Sequence, residues 1–168
     1  MQHEEQIIIV DEDNNEVATA SRSHMRRHNL PHRAAYILVF NSIGELFIQQ
    51  RTTWKDIYPG FYDIACGGVV LAGETYNLAA ARELAEEMGI RDIPLTILFT
   101  FKFADQKNIV WGRAYTCIYD GEIILQPEEV AGGSFLPLNK VLKLAAGKPF
   151  TPDGIYLLNR YLKEYAKI

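Results

Sequence analysis

The stretch from Gly68 to Ile90 constrains this chain more than any other. It runs Gly68, five residues, Glu74, seven residues, and then Arg82-Glu83-Leu84-Ala85-Glu86-Glu87-Met88-Gly89-Ile90. Leu78, Ala81, Leu84, Ala85 and Met88 recur at helical spacing. They predict a helix over Thr75–Met88 that Gly89 closes as a left-handed cap. At about 100° per residue, Glu86 falls roughly 60° to one side of Glu83 and Glu87 roughly 40° to the other, so three carboxylates share a face. The expected packing puts the apolar set on a sheet and the acids outward, with small Ala79 and Ala80 leaving room for a metal and a ligand. Like charges at these spacings repel by a few tenths of a kcal/mol per pair. Arg82, one turn before Glu86, offsets part of that. Carboxylate oxygens gathered at one point are what a hard divalent cation takes as ligands, and a merely solvated acidic face is the plainer alternative. The loop in front of the helix favours the ligand. Gly67-Gly68 lets the backbone come close to a neighbour or take positive φ, and Glu74 at the helix start is favoured by the dipole.

Around this stretch the periodicity predicts a mixed sheet covered by helices, an α/β fold. Strands are expected at Gln6–Val10, Glu16–Ala20, Ala34–Phe40, Glu45–Arg51, Phe61–Cys66, Leu95–Phe103 and Ile109–Tyr119, with shorter candidates at Ile123–Leu125 and Ser134–Leu136. Ser21–Asn29 reads as a short helix or a link, and Leu138–Ala146 reads as a helix. Thr151-Pro152-Asp153 offers an N-cap, a proline in the first turn and an acid for a last helix over Asp153–Ala166. The 168 residues suit one domain, 31–168, preceded by an N-terminal extension, 1–30. Hydrophobic residues at 48% and charged residues at 23% exclude disorder or a coiled coil for the whole chain.

A formal net charge of -4 argues against a nucleic acid polymer as partner. Two cysteines, Cys66 and Cys117, make no disulfide framework. The acidic start and the short apolar run Ile7–Val10 give no signal peptide or membrane span, so a cytoplasmic protein without membrane contact is expected. A homodimer is compatible with all of this.

The Gly68–Ile90 pattern resembles the Nudix box, G-x5-E-x7-R-E-U-x-E-E-x-G-U with U aliphatic, and all nine defined positions are filled. At ordinary residue frequencies a chance match anywhere in the chain is on the order of one in ten million. The strict motif spans 23 residues, and the wider pattern extends loosely from about Arg33 to Val141. The resemblance implies an α/β/α sandwich with a mixed sheet, the box forming loop, helix and loop. It implies hydrolysis of a small-molecule phosphoanhydride by metal-activated water, the substrate a nucleoside diphosphate or one linked to another group, with Mg2+ or Mn2+. Residue by residue, Glu86 and Glu87 would be metal ligands, and Glu83 a further ligand or the base. Arg82 would orient a glutamate, the carbonyl of Gly67 would join the metal shell, and Gly68 and Glu74 would support the geometry. Glu83, Arg82 and Glu86 are thus the catalytic candidates. Some members of the fold bind nucleotides as sensors, usually with a damaged box.

The segment from His32-Arg33 to Phe61-Tyr62 also resembles isopentenyl-diphosphate isomerases, which share the fold. Cys66 falls where that family has its catalytic cysteine. The departures are large. The isomerase's metal-ligating His is replaced by Gly68, and its later glutamates by the stretch holding Trp111 and Arg113. Cys66 therefore reads as a buried strand-end residue. His24, His28 and His32 have helical spacing, but Pro31 interrupts it, so a polar surface is expected. Arg51 and Lys55, with Arg26, Arg27 and Arg33, are candidates for phosphate contact. Tyr58, Phe61, Tyr62 and Trp111 could stack on a base. Glu128 or Glu129 could supply a late acid.

Overall fold

A computed structural model describes residues 3–166; the first two residues of the expected extension and the last two of the expected domain lie outside them. In chain order the elements are β1 Gln6–Val10, β2 Glu16–Ser21, α1 Arg22–Arg27, β3 His32–Phe40, β4 Leu46–Arg51, β5 Tyr62–Asp63, β6 Cys66–Val69, α2 Tyr76–Met88, β7 Thr96–Ala104, β8 Ile109–Ile118, β9 Val130–Leu136, α3 Leu138–Gly147 and α4 Pro152–Glu164.

The fold is organised on β3, whose run of apolar residues is buried on both faces, as suits a strand with helices above and below. Along one edge it pairs in parallel with β8 over its full length, from His32↔Val110 to Phe40↔Ile118. Along the other edge three antiparallel partners follow in turn: β1 at Ile9↔His32, β6 from Ala34↔Val69 to Ile37↔Cys66, and β4 at Phe40↔Leu46. β2 pairs with β1 and β7 with β8, while β5 and β9 both pair with β4. The β1–β2 hairpin is thereby joined to the main sheet.

Alternation along β3 sorts its side chains into two cores. Ala35, Ile37 and Val39 meet Ala79, Ala80, Leu84 and Met88 of α2. Ala34, Tyr36, Leu38 and Phe40 meet Val141 of α3 and Leu157 and Leu158 of α4. This is the α/β/α sandwich with a mixed sheet.

Four expectations need correction. The strand predicted over Phe61–Cys66 is two short strands with different partners, divided where Asp63 Oδ1 accepts the Ala65 N–H at 3.2 Å. Ile123–Leu125 is not a strand. It runs past the end of α2, where Ile124 and Gln126 donate to the carbonyls of Met88 and Glu87, both at 3.0 Å, groups the helix itself leaves free. His24 and His28 do sit on an exposed surface with rings 4.4 Å apart, but His32 is buried in β3. Finally, α2 is turned by about one residue step from the expected packing. Leu78 and Ala81 are exposed, while Ala79, Ala80 and Glu87 are buried. The two alanines leave no room for a ligand, and Glu87 points inward.

This architecture opens a cleft. β3 and β4 touch only at Phe40↔Leu46, then separate. β6 fills part of the gap, and the space left between β6 and the β4–β5 pair is the cleft.

Candidate active site

The cleft has a volume of about 350 Å³ and is lined by Gly67, Gly68, Glu83, Glu86 and Glu87 at one end. Local sequence holds α2 over this end. The Thr75 hydroxyl accepts the Leu78 N–H at 3.2 Å, and Gly89 takes φ 67° as the left-handed cap. Beneath the helix, β6 lies against β3 at a separation that only glycine permits at position 67, with the Glu83 carboxylate over Gly68. A Cβ on Gly67 would lie 1.9 Å from the Ala35 carbonyl oxygen, and one on Gly68 would lie 2.5 Å from Glu83 Oε1.

Arg82 holds the acids in place. Its Nε and one terminal nitrogen donate to the two oxygens of Glu74, at 2.6 and 3.0 Å. The other terminal nitrogen reaches Glu83 at 2.7 Å and Glu86 at 3.3 Å, and the Val69 carbonyl accepts a further bond at 3.1 Å. Hydrogen bonding to Glu74, above all, strengthens the guanidinium's hold on its proton. Burial pushes the Glu74 carboxyl up, but Arg82 and the hydrogen bond from the Leu71 N–H together outweigh that and keep it below its ordinary range. Burial, then the neighbouring charge of Glu87, push Glu83 up to about 7.

Glu87 is 5% exposed. Its Oε2 accepts from Gln49 Nε2 and the Gly67 N–H, both at a long 3.4 Å, and no ion pair reaches it among the described residues. A buried carboxylate without a cation is unfavourable by several kcal/mol in principle. Among the described residues no trio of His, Cys, Asp or Glu is already drawn together for metal binding, because Glu83 and Glu86 lean onto Arg82. The donor set nevertheless fits a hard divalent cation, being all carboxylate and carbonyl oxygen, with one carboxylate buried and in no ion pair among the described residues.

The opposite wall is cationic. Arg51 and Lys55 both line the cleft, as do Arg22 and Arg26 of α1. Arg51 donates twice to the Ile57 carbonyl, at 3.2 and 2.9 Å. Lys55 pairs with Glu129. Arg22 and Arg26 share Asp56, at 2.8 and 3.2 Å. Arg33 is directed away, donating to Asn14 at 2.9 and 2.6 Å, and Arg27 is exposed outside the cleft. Of the four aromatic candidates only Tyr58 lines the cleft. Tyr62 stacks on Phe150 instead, and Trp111 lies under Lys102.

Sequence reasoning did not identify Tyr36, Asp63, Asn108, Thr151 and Asp153, which line the inner end. Tyr36, Asp63 and Asn108 come from separate parts of the chain, and Thr151 and Asp153 read only as the start of α4, so no spacing links the five. Burial first, then the charge of Asp153, raise the Asp63 carboxyl above its ordinary range, and burial raises Asp153. His32, also on the wall, is pushed down to about 4 by burial, and its Nδ1–H donates to the Leu30 carbonyl at 2.9 Å.

A group whose folded pKa is raised binds a proton more tightly folded than unfolded. Its contribution to stability therefore falls as pH rises from the unfolded value of 3.8 through the folded one. Asp63→Asn is accordingly expected to raise the thermal midpoint at pH 8, by roughly 3 °C or more, and by less at pH 5. Scanning calorimetry of both proteins at both pH values checks this; an equal or negative change at pH 8 would count against it.

The sequence model of the NUDIX domain matches residues 30–157. The chain belongs to the Nudix family. It is 40% identical over 158 residues to an uncharacterized Nudix hydrolase of Pseudomonas aeruginosa, PA4841, covering 94% of each chain. It is 39% identical over 163 residues to Nudix hydrolase YfcD of Escherichia coli, covering 97% of this chain and 89% of that one. The crystal structure of DR0079 from Deinococcus radiodurans superposes with a TM-score of 0.81 at 27% identity, covering 93% of this chain and 98% of that one. The helix α2 with its preceding glycines is thus the Nudix box of this hydrolase, and the sandwich is the Nudix fold. No helix among the described residues is long and apolar enough to cross a membrane.

Proposed function

We propose that this Nudix hydrolase cleaves the phosphoanhydride bond of a nucleoside diphosphate, or of a nucleoside diphosphate linked to another group, with Mg2+ or Mn2+. The observation that carries the reading is Glu87: a buried carboxylate without a cation, beside Glu83 and Glu86, in a cleft whose other wall is cationic. Glu83, Glu86, Glu87 and the Gly67 carbonyl would hold the cation. Bound there, it would neutralise phosphate charge, polarise a phosphoryl oxygen and acidify water.

The chain's own groups do the rest. Arg51 and Lys55 face the acids across the cleft and offer positive charge to the substrate's phosphates, so the polyanion lies between two walls. Arg82, bound to Glu74, Glu83 and Glu86, is a positioning residue that fixes where the carboxylate oxygens sit. Glu83, buried and next to Arg82, is placed to accept a proton from attacking water. Cys66, the first residue of β6, is buried in the core under α2, its Sγ 3.7 Å from the Glu83 carbonyl oxygen, and is absent from the cleft lining. Burial, then the charge of Glu87, raise its thiol pKa well above the ordinary value, which supports water rather than a thiol as the reacting group.

A panel of nucleoside di- and triphosphates, nucleotide sugars, dinucleotides and coenzyme A derivatives tests the reading by release of monophosphate or phosphate. Turnover is expected with Mg2+ or Mn2+, and is expected to vanish with excess EDTA. No turnover across the panel with either metal would favour a nucleotide-binding sensor. Cys66→Ala is expected to keep the metal-dependent rate within about twofold, since that reaction uses no thiol. Deuterium exchange into the product of isopentenyl diphosphate that disappears in Cys66→Ala would instead establish an isomerase.

A further inference from the structure

The inner end of the cleft, away from the box helix, holds a concentration of buried polar atoms that the hydrolytic machinery does not use. Asp153 Oδ2 accepts the Tyr36 hydroxyl at 2.7 Å and Asn108 Nδ2 at 3.4 Å. Asp153 Oδ1, Asn108 Oδ1 and Thr151 Oγ1 have no partner. Their residues are 8%, 4% and 1% exposed, and all three line the cleft. Buried polar groups are almost always hydrogen-bonded, and a cluster that is not marks a place where something else supplies the bonds.

The orientation of Asn108 follows from its neighbour. Its amide nitrogen must face Asp153, because the reversed amide would set oxygen against carboxylate. Its oxygen is therefore the free atom. The start of α4 is trimmed to fit: a Cβ on Gly154 would lie 2.4 Å from Thr151 Oγ1 and 3.0 Å from Asp63 Oδ1. The Thr151 hydroxyl makes no capping bond to its own helix and lies buried beside Gly154 without a partner.

These atoms specify a complement. Asp63, raised by burial and by the charge of Asp153, takes the proton of this acidic pair first, so Asp153 Oδ1 accepts, as does Asn108 Oδ1, and the Thr151 hydroxyl can donate. An amino group with two hydrogens satisfies the two acceptors, and an adjacent unprotonated ring nitrogen takes the hydroxyl. A carbonyl oxygen in the same place would face acceptors on both sides. We propose that Asp153, Asn108 and Thr151 form a nucleobase subsite selecting an amino group beside an unprotonated ring nitrogen, the edge shared by adenine and cytosine and lacking in hypoxanthine and uracil. Ile57 and Tyr58, also on the wall, give the ring apolar and aromatic surface. The inference rests on the nucleotide-hydrolase reading for its substrate class, and names which nucleotides that site prefers.

Calorimetric titration with nucleoside monophosphates tests the subsite without needing turnover. The wild type is expected to bind AMP at least ~10-fold more tightly than IMP, and CMP at least ~10-fold more tightly than UMP, because a mismatched edge leaves buried groups unpaired. Asp153→Asn keeps an oxygen for Tyr36 and Asn108 and turns an N–H toward the ligand, so the preference is expected to invert. Thr151→Val, close in shape and lacking only an unpartnered hydroxyl, is expected to weaken AMP and CMP several-fold with the thermal midpoint unchanged; it serves if Asp153→Asn does not fold. Equal binding within both pairs, or no binding of AMP and CMP, overturns the subsite. Hydrolysis separates the two readings. Equal turnover of ADP and IDP, and of CDP and UDP, with Mg2+ overturns the subsite and leaves the hydrolase. Amino-selective binding with no turnover of any diphosphate supports the subsite and overturns the hydrolase.

Discussion

Glu87→Gln is expected to lower metal-dependent hydrolysis by about 10²-fold or more, in line with losing a charged group aimed at the reacting centre. The fold is expected to persist. Glu87 is buried between the helix and β6, touching Gln49 and Gly67 through weak 3.4 Å contacts to one oxygen, and a glutamine oxygen can accept both. Without metal, the substitution also removes a buried negative charge held in no ion pair among the described residues, so the metal-free thermal midpoint is expected to stay level or rise. This separates chemistry from folding, which an alanine substitution would not. Glu86→Gln is expected to cost a similar factor with less effect on stability, since Glu86 is exposed. Initial rates at saturating Mg2+, with circular dichroism melting curves in EDTA, check both. Wild-type turnover in both variants would show that these acids do not hold the metal.

Gly67→Ala is expected to be the most damaging single methyl the site can receive. The added Cβ would meet the Ala35 carbonyl oxygen at 1.9 Å and Tyr36 Cα at 3.2 Å. Both are backbone atoms of β3, paired on its other edge with β8, so neither can yield cheaply. A cost of about 3 kcal/mol or more is expected, at the upper end of what overpacking does, lowering the thermal midpoint by roughly 6–12 °C. Activity is expected to fall further than stability alone explains, because moving β6 shifts the Gly67 carbonyl and the backbone under Glu83. Melting curves and rates measured well below the midpoint would distinguish the two effects. A midpoint within 2 °C of wild type, itself about the shift from less than 1 kcal/mol, would refute the close approach of β6 to β3.

The legibility of this protein from its residues was uneven, and for physical reasons. The box was readable because its chemistry is local. Arg82 reaches Glu86 one helical turn on, Gly89 closes the helix it follows, and Thr75 caps the helix it precedes, all within one element. β3 was likewise readable as a strand from the β-forming run Ala34–Phe40, whereas its burial on both faces came only with the helices that cover it. The rotation of α2 was not. Alanines at 79, 80, 81 and 85 carry almost no hydrophobic signal, so Leu78 dominated the expected face, yet it lies exposed. As packed, α2 sets the Glu83 carboxylate over Gly68 of β6, where a Cβ would lie 2.5 Å from Oε1.

The amino-acid sequence by itself determined the family, the α/β class and the carboxylates of the box, because those depend on residues a few positions apart whose geometry a helix and a turn already dictate. The tertiary structure alone decided that Glu87 is buried and that Cys66 lies outside the cleft. It also decided that Tyr36, Asn108, Thr151 and Asp153 meet at the cleft's inner end. Tyr36 and Asp153 are 117 positions apart and form a 2.7 Å hydrogen bond. They meet because α4 returns across the face of β3 that carries Tyr36, and a contact made by such a return leaves no spacing in the chain to be read.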